Sequence, residues 1–129
     1  MLFTLARILS CGIWFLAGLF KLTHFKHTSA DMANRGIPYP AFFLVLTIAL
    51  ELGGSAMLFA NVQVWLVALS WICFMIIATP VYHGKCIVAG KIFFPEYVQL
   101  SKNLSLAGGL IALALLDPAL PGWLRALSG

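Results

Sequence analysis

The chain has 129 residues, 62% of them hydrophobic and 9% charged, with eight Lys and Arg against four Asp and Glu and a net charge of +4. A soluble domain carries about 25% charged residues. At a mean hydropathy of +1.00 the chain has too little polar surface to coat a water-exposed globule, so its solvent must be mostly lipid. That excludes a soluble nucleotide-binding α/β enzyme, a disulfide scaffold, a disordered regulator and a nucleic-acid partner.

A spanning helix needs about 20 mainly apolar residues. Residues 2–20 form the first such segment and carry Arg7. Ile8-Leu9-Ser10-Cys11 resembles a lipoprotein cleavage box, yet Arg7 precedes Cys11 too closely for the apolar region of a signal peptide, so Met1 onward is expected to be mature protein. Thr28 and Ser29 are candidate caps and Gly36 a candidate stop, which predicts a short interfacial helix, and Pro38 and Pro40 then form an extended lead. Residues 41–60 are the second span and carry Glu51. The three residues Asn61-Val62-Gln63 force the third span, 64–82, to run antiparallel to it. Residues 83–97, with Gly84, Gly90 and Pro95, read as a loop. The fourth span, 98–116, has Lys102 and Asn103 in its first turns, and Asp117-Pro118 and Pro121-Gly122 end it beside an interfacial Trp123. The expected fold is an all-α membrane protein. Residues 1–129 form one domain of four transmembrane helices in an antiparallel bundle, with a short interfacial helix in the first long loop.

Both ends of the chain then lie on the side of the Asn61 turn. The opposite side carries Lys21, Lys26, Arg35, Lys85, Lys91 and Lys102, against Arg7 and Arg125 on the first. By the positive-inside tendency the long loops are cytoplasmic and both termini outside.

Charges within a span are costly and usually face a bundle interior and pair. Arg7, Cys11, Trp14, Gly18 and Lys21 share one helical face, and Thr47, Glu51, Gly54 and Ser55 another. With spans 2–20 and 41–60 aligned at their ends, Arg7 and Glu51 differ in depth by about 6 Å, which an arginine can reach across. An Arg7–Glu51 pair organising the bundle is therefore expected. Lys21, His83, Lys102 and Asn103 gather near the loop-side membrane face. The lysines there can snorkel into headgroups, while a His83 imidazole could donate to a quinone carbonyl or a carboxylate. Six residues, Arg7, Lys21, Glu51, His83, Lys102 and Asn103, thus form the candidate polar network or ligand site.

His24, His27, His83 and Cys86 include ligand types suited to zinc or copper, but nothing in the sequence brings their two loops together, and no metal is expected. Cys11, Cys73 and Cys86 make an odd count without CxxC spacing, which argues against disulfides and thiol redox chemistry. Small-residue pairs, Ala49 with Gly53, Ser105 with Gly109 and Gly108 with Ala112, permit close helix packing within the chain or in a homo-oligomer.

The ordered set Arg7, Gly12, Gly18, Lys21, then Gly36-Ile37-Pro38, then Glu51-Leu52-Gly53-Gly54, then His83, then Lys102-Asn103 and Gly108-Gly109 resembles the DoxX family of small four-helix membrane proteins. The His24/His27 pair, the Cys86 segment and the leucine after Asn103 depart from that pattern. The resemblance implies a bacterial cytoplasmic (inner) membrane protein. The family it resembles has a mixture of roles, redox-associated membrane subunits and members without assigned activity among them; the expected role is an accessory subunit of a membrane redox assembly that contacts a quinone or small amphiphile, with a redox-enzyme subunit as partner and no cofactor. No catalytic constellation is evident, so the chain is not expected to be an enzyme itself. The alternative is a small proton-coupled transporter using Glu51, although an arginine opposite would hold that carboxylate ionised and oppose proton exchange.

Overall fold

The computed structural model describes residues 1–88 and 94–127. Six helices follow in order: α1 (Leu2–Thr23), α2 (Phe25–Asn34), α3 (Pro40–Phe59), α4 (Val64–Val88), α5 (Phe94–Leu116) and α6 (Gly122–Ala126). There is no strand among the described residues. Four helices, α1, α3, α4 and α5, are long and apolar enough to cross a membrane, and the expected interfacial helix is α2.

The helix ends follow from local chemistry. Gly36, at φ 81°, places its N–H on Ala33 O at 2.9 Å while Ile37 N–H reaches Met32 O at 3.1 Å. These two bonds satisfy carbonyls that the end of α2 leaves open, and the left-handed residue they require is a glycine. The α3–α4 turn repeats the device with Asn61 at φ 59°: Asn61 N–H bonds Leu58 O at 3.2 Å and Val62 N–H bonds Met57 O at 2.9 Å. Asn tolerates this conformation better than most residues. At the start of α4, Asp117 acts as a cap from 52 residues away, its Oδ2 accepting from Trp65 N–H at 2.9 Å. Its carboxylate also faces the positive end of the helix dipole.

Two expectations are corrected. Residues 83–97 are not one loop: α4 continues past Pro80 to Val88 and α5 begins at Phe94. Pro80 gives up one backbone bond, which membrane helices tolerate where neighbours satisfy the freed carbonyl, and Gly84 alone does not stop a helix. Pro95 stands in the first turn of α5, where proline loses nothing. The second correction is α6, which Pro121 opens just where the sequence was read only as a helix stop.

Helix α1 packs chiefly on α3, and α4 chiefly on α5. The core joining the two pairs centres on Trp71, which is fully buried; its indole N–H donates to Leu50 O at 3.1 Å. Trp14 stacks on it, ring centroids 4.5 Å apart and 15° between planes. Gly54 makes room for Trp71, since a Cβ there would lie 2.8–2.9 Å from three indole atoms, and Gly18 makes room for α3, with Leu52 Cδ2 at 2.8 Å and Glu51 Cβ at 3.2 Å from its would-be Cβ. The small-residue pairs singled out from sequence do not play this part, because Gly53, Gly108 and Gly109 have nothing within 4 Å of an added Cβ. A second cluster, Met32, Leu44 and Ile48, seats α2 on α3. Outside these cores, large apolar side chains such as Phe15, Phe42, Ile76, Ile77 and Leu104 are exposed, and in a membrane they meet acyl chains.

Candidate functional site

In α1, Arg7, Cys11, Trp14 and Gly18 are buried along one stripe, and in α3 Glu51, Gly54 and Ser55 face it. Glu51, 2% exposed, does not pair with Arg7. Its two oxygens accept from Lys21 Nζ at 2.6 and 2.8 Å, while Arg7 Nη1 donates to Leu58 O at 2.7 Å and its guanidinium lies 5.3 Å from the Phe3 ring centre.

The reason is the register and the direction of helical side chains. Glu51 stands opposite Gly18 and Ser55 Oγ donates to Cys11 O at 3.5 Å, so Arg7 lies eleven residues from the level of Glu51, about 16 Å along the axis. Side chains on a helix lean toward its N-terminus. Lys21 therefore reaches back to Glu51, and Arg7 reaches away from it toward the last carbonyls of α3, where the negative end of the helix dipole favours a cation. The expectation failed because both spans were aligned at their apolar limits, whereas the packed helices are offset along the axis, with Gly18, near the Thr23 end of α1, opposite Glu51 in the middle of α3.

A cavity of about 200 Å³ opens between α1, α3, α4 and α5. Five of the six candidate residues line it: Lys21, Glu51, His83, Lys102 and Asn103. Arg7 does not. Its walls are otherwise mainly apolar, Trp14, Phe74, Met75 and Leu106 among them, with Thr79 and Tyr82 added. Asn103 Nδ2 donates to Thr79 Oγ1 at 3.0 Å, tying α5 to α4. His83 Nδ1 is bonded to Glu96 Oε2. The Tyr82 ring carries Arg35 at 4.4 Å, and Arg35 also donates to Tyr82 O at 3.2 Å and to Asp31 at 2.9 Å, so α2 is clamped to α4 at this end.

Sequence reading missed Thr79, Tyr82 and Glu96. Glu96 was hidden by its placement in a loop, although an acid thirteen residues from His83 across an antiparallel turn was the available signal. The metal candidates do not assemble. His24 and His27 are exposed, with His24 stacked on Phe20 at 4.3 Å, and His83 is taken by Glu96. Among the described residues no group of three or more His, Cys, Asp or Glu gathers, and the side chain of Cys86 lies outside them.

The cavity can hold a polar head against hydrogen-bonding groups and keep an apolar remainder on aromatic and aliphatic walls. Comparison with known proteins agrees with a membrane setting. The chain is 24% identical to inner membrane protein YphA of Escherichia coli K12 over 117 residues, covering 91% of this chain and 84% of that protein. To inner membrane protein YqjF of the same organism it is 30% identical over 116 residues, covering 88% and 82%. No solved structure gives a significant match. The DoxX family profile matches residues 2–84, the part that contains α1, α2, α3 and most of α4, and this multi-pass membrane protein therefore belongs to the DoxX family.

Proposed function

We propose that the protein is an accessory subunit of a membrane redox assembly whose interior cavity receives the polar head of a quinone or similar small amphiphile. The cavity carries the reading: an ion pair, an imidazole and an amide are placed on apolar walls between four spanning helices. Ligand sites are typically of this kind, apolar with a few convergent polar groups. The redox setting comes from the family resemblance. Placement in the inner membrane is supported by the names of the two relatives, and the excess of lysine and arginine at the cavity end supports cytoplasmic long loops with both termini outside. Both Glu51 oxygens are engaged by Lys21, which favours a binding role over a proton-exchanging one.

The test is titration of a short-chain ubiquinone analogue into the protein in lipid nanodiscs, read by tryptophan quenching, since Trp14 lines the cavity. Quenching should saturate and should weaken when Ala78→Leu fills the cavity. Linear quenching that Ala78→Leu leaves unchanged would overturn the proposal.

A further inference from the structure

A second compartment of about 240 Å³ lies in the groove between α1 and α5, lined by Ser10, Trp14, Lys102, Ser105, Leu106, Gly109 and Leu110. It shares Trp14, Lys102 and Leu106 with the cavity. Each compartment alone falls below the roughly 300–1,000 Å³ of a site for a drug-sized ligand, and together they enter that range. The two lie on either side of these shared walls, and more polar side chains line the first cavity, Lys21, Glu51, His83, Lys102 and Asn103 among them, than line the second, which has Ser10, Lys102 and Ser105. The occupant of the joined space is accordingly a long molecule with one polar end.

The charges define that end. The chain has four Asp and Glu, and each is engaged: Asp31 by Arg35, Glu51 by Lys21, Glu96 by His83, Asp117 by the backbone N–H groups of Trp65 and Ala119. Lys102, at the junction of the two compartments, makes no hydrogen bond or ion pair among the described residues. It is exposed and stands seven residues inside the span that begins at Pro95, where an ammonium left facing acyl chains is costly. No side-chain carboxylate of the chain remains to compensate it. Beside it, Trp14 is 6% exposed and its indole N–H is buried without a partner among the described residues, although a buried indole N–H normally finds one. A cation and an indole donor, neither with a hydrogen-bond partner among the described residues, thus belong to two residues that line both compartments.

We infer that the joined compartments bind a single-tailed amphiphile with a carboxylate head, a long-chain fatty acid, with the carboxylate on Lys102 and the chain along the α1–α5 groove. One ammonium balances the single charge of a carboxylate, whereas a phosphate monoester brings nearly two. Asn103 keeps a second amide N–H and Thr79 a hydroxyl proton for the remaining carboxylate lone pairs. This inference rests on the amphiphile reading above and names the class of amphiphile.

The experiment compares 12-doxylstearic acid, its methyl ester and doxyl-labelled lysophosphatidic acid as quenchers of tryptophan fluorescence, with the protein in phosphatidylcholine nanodiscs. The free acid should quench saturably, and loss of the charge in the ester should weaken binding on the order of tenfold. Lys102→Met should erase the acid-over-ester preference and Lys102→Arg retain it. Equal binding of acid and ester by the unaltered protein would overturn the inference without any variant, and tighter binding of the lysophosphatidic acid would overturn the choice of a carboxylate. Saturable quenching by the ubiquinone analogue with no preference for the acid would sink this inference and leave the proposed function standing. Linear quenching by every probe would remove both.

Discussion

Replacing Gly54 with alanine puts the packing of the bundle to a direct test. The added Cβ would lie 2.8 Å from Trp71 Nε1 and 2.9 Å from Cε2 and Cζ2, against the roughly 3.5–4.0 Å of an unstrained carbon contact. The indole must therefore retreat by about 0.6–1 Å. It is fully buried, with Trp14 stacked on it and Leu50 O accepting its N–H, so the retreat disturbs both partners. Overpacking of this kind costs about 1–3 kcal/mol, and partial loss of the hydrogen bond adds up to about 1 kcal/mol. Gly53→Ala is the control, because it makes the same change of helix propensity one residue earlier with nothing within 4 Å. Unfolding in mixed micelles at rising SDS fraction should show Gly54→Ala less stable than Gly53→Ala by about 2–3 kcal/mol. Near-ultraviolet circular dichroism should show the coupled signal of the two stacked indoles weaken only in Gly54→Ala. Equal stability of the two variants with an unchanged indole signal would refute the reasoning.

Lys21→Met should destabilise by about 3–5 kcal/mol because it strands the buried Glu51 carboxylate, and the same unfolding assay should find Lys21→Met with Glu51→Met less costly than the sum of the two. A cycle on Arg7 and Glu51 should instead be additive within about 0.5 kcal/mol, as for sites without shared partners. Asp117→Ala removes the acceptor for Trp65 N–H at a cost of about 1 kcal/mol; hydrogen exchange should quicken at the first turn of α4 and not at its centre. For the proposed orientation, Asn61→Cys in intact cells should react with an impermeant maleimide above the background of the native cysteines, and Thr28→Cys only after lysis. The opposite pattern would invert the topology.

The spanning helices were legible because lipid imposes a length and an apolar composition that no neighbour can override. Gly36 and Asn61 were legible as helix boundaries because left-handed backbone favours a few residue types. The stripe from Arg7 to Lys21 and the stripe around Glu51 follow from a period of 3.6 residues. What the sequence does not state is the axial offset between two stripes, and that offset decides that Glu51 meets Lys21 and not Arg7. The choice of glycines was hidden for the same reason: Gly18 and Gly54 face a leucine and an indole, whereas Gly53, Gly108 and Gly109, just as conspicuous in sequence, have nothing within 4 Å of an added Cβ. Lys21, His83, Lys102 and Asn103 come together in the cavity because each was placed toward the loop-side ends of the helices, a coarse property that survives errors of a few residues, whereas Glu51, in the middle of α3, joins them through Lys21. Glu96 was lost to a misplaced boundary.

The Lys21–Glu51 contact also bears on how the chain is assembled during synthesis. When α3 leaves the ribosome it brings a carboxylate that hydrocarbon would reject, and the cation that comes to hold both its oxygens is Lys21, on a helix made some thirty residues earlier. An α1 already waiting at the translocon offers that ammonium at once, so α3 can partition sideways as half of a ready-made couple before α4 and α5 exist. In the folded bundle that couple keeps the Glu51 carboxylate, 2% exposed, from meeting lipid alone.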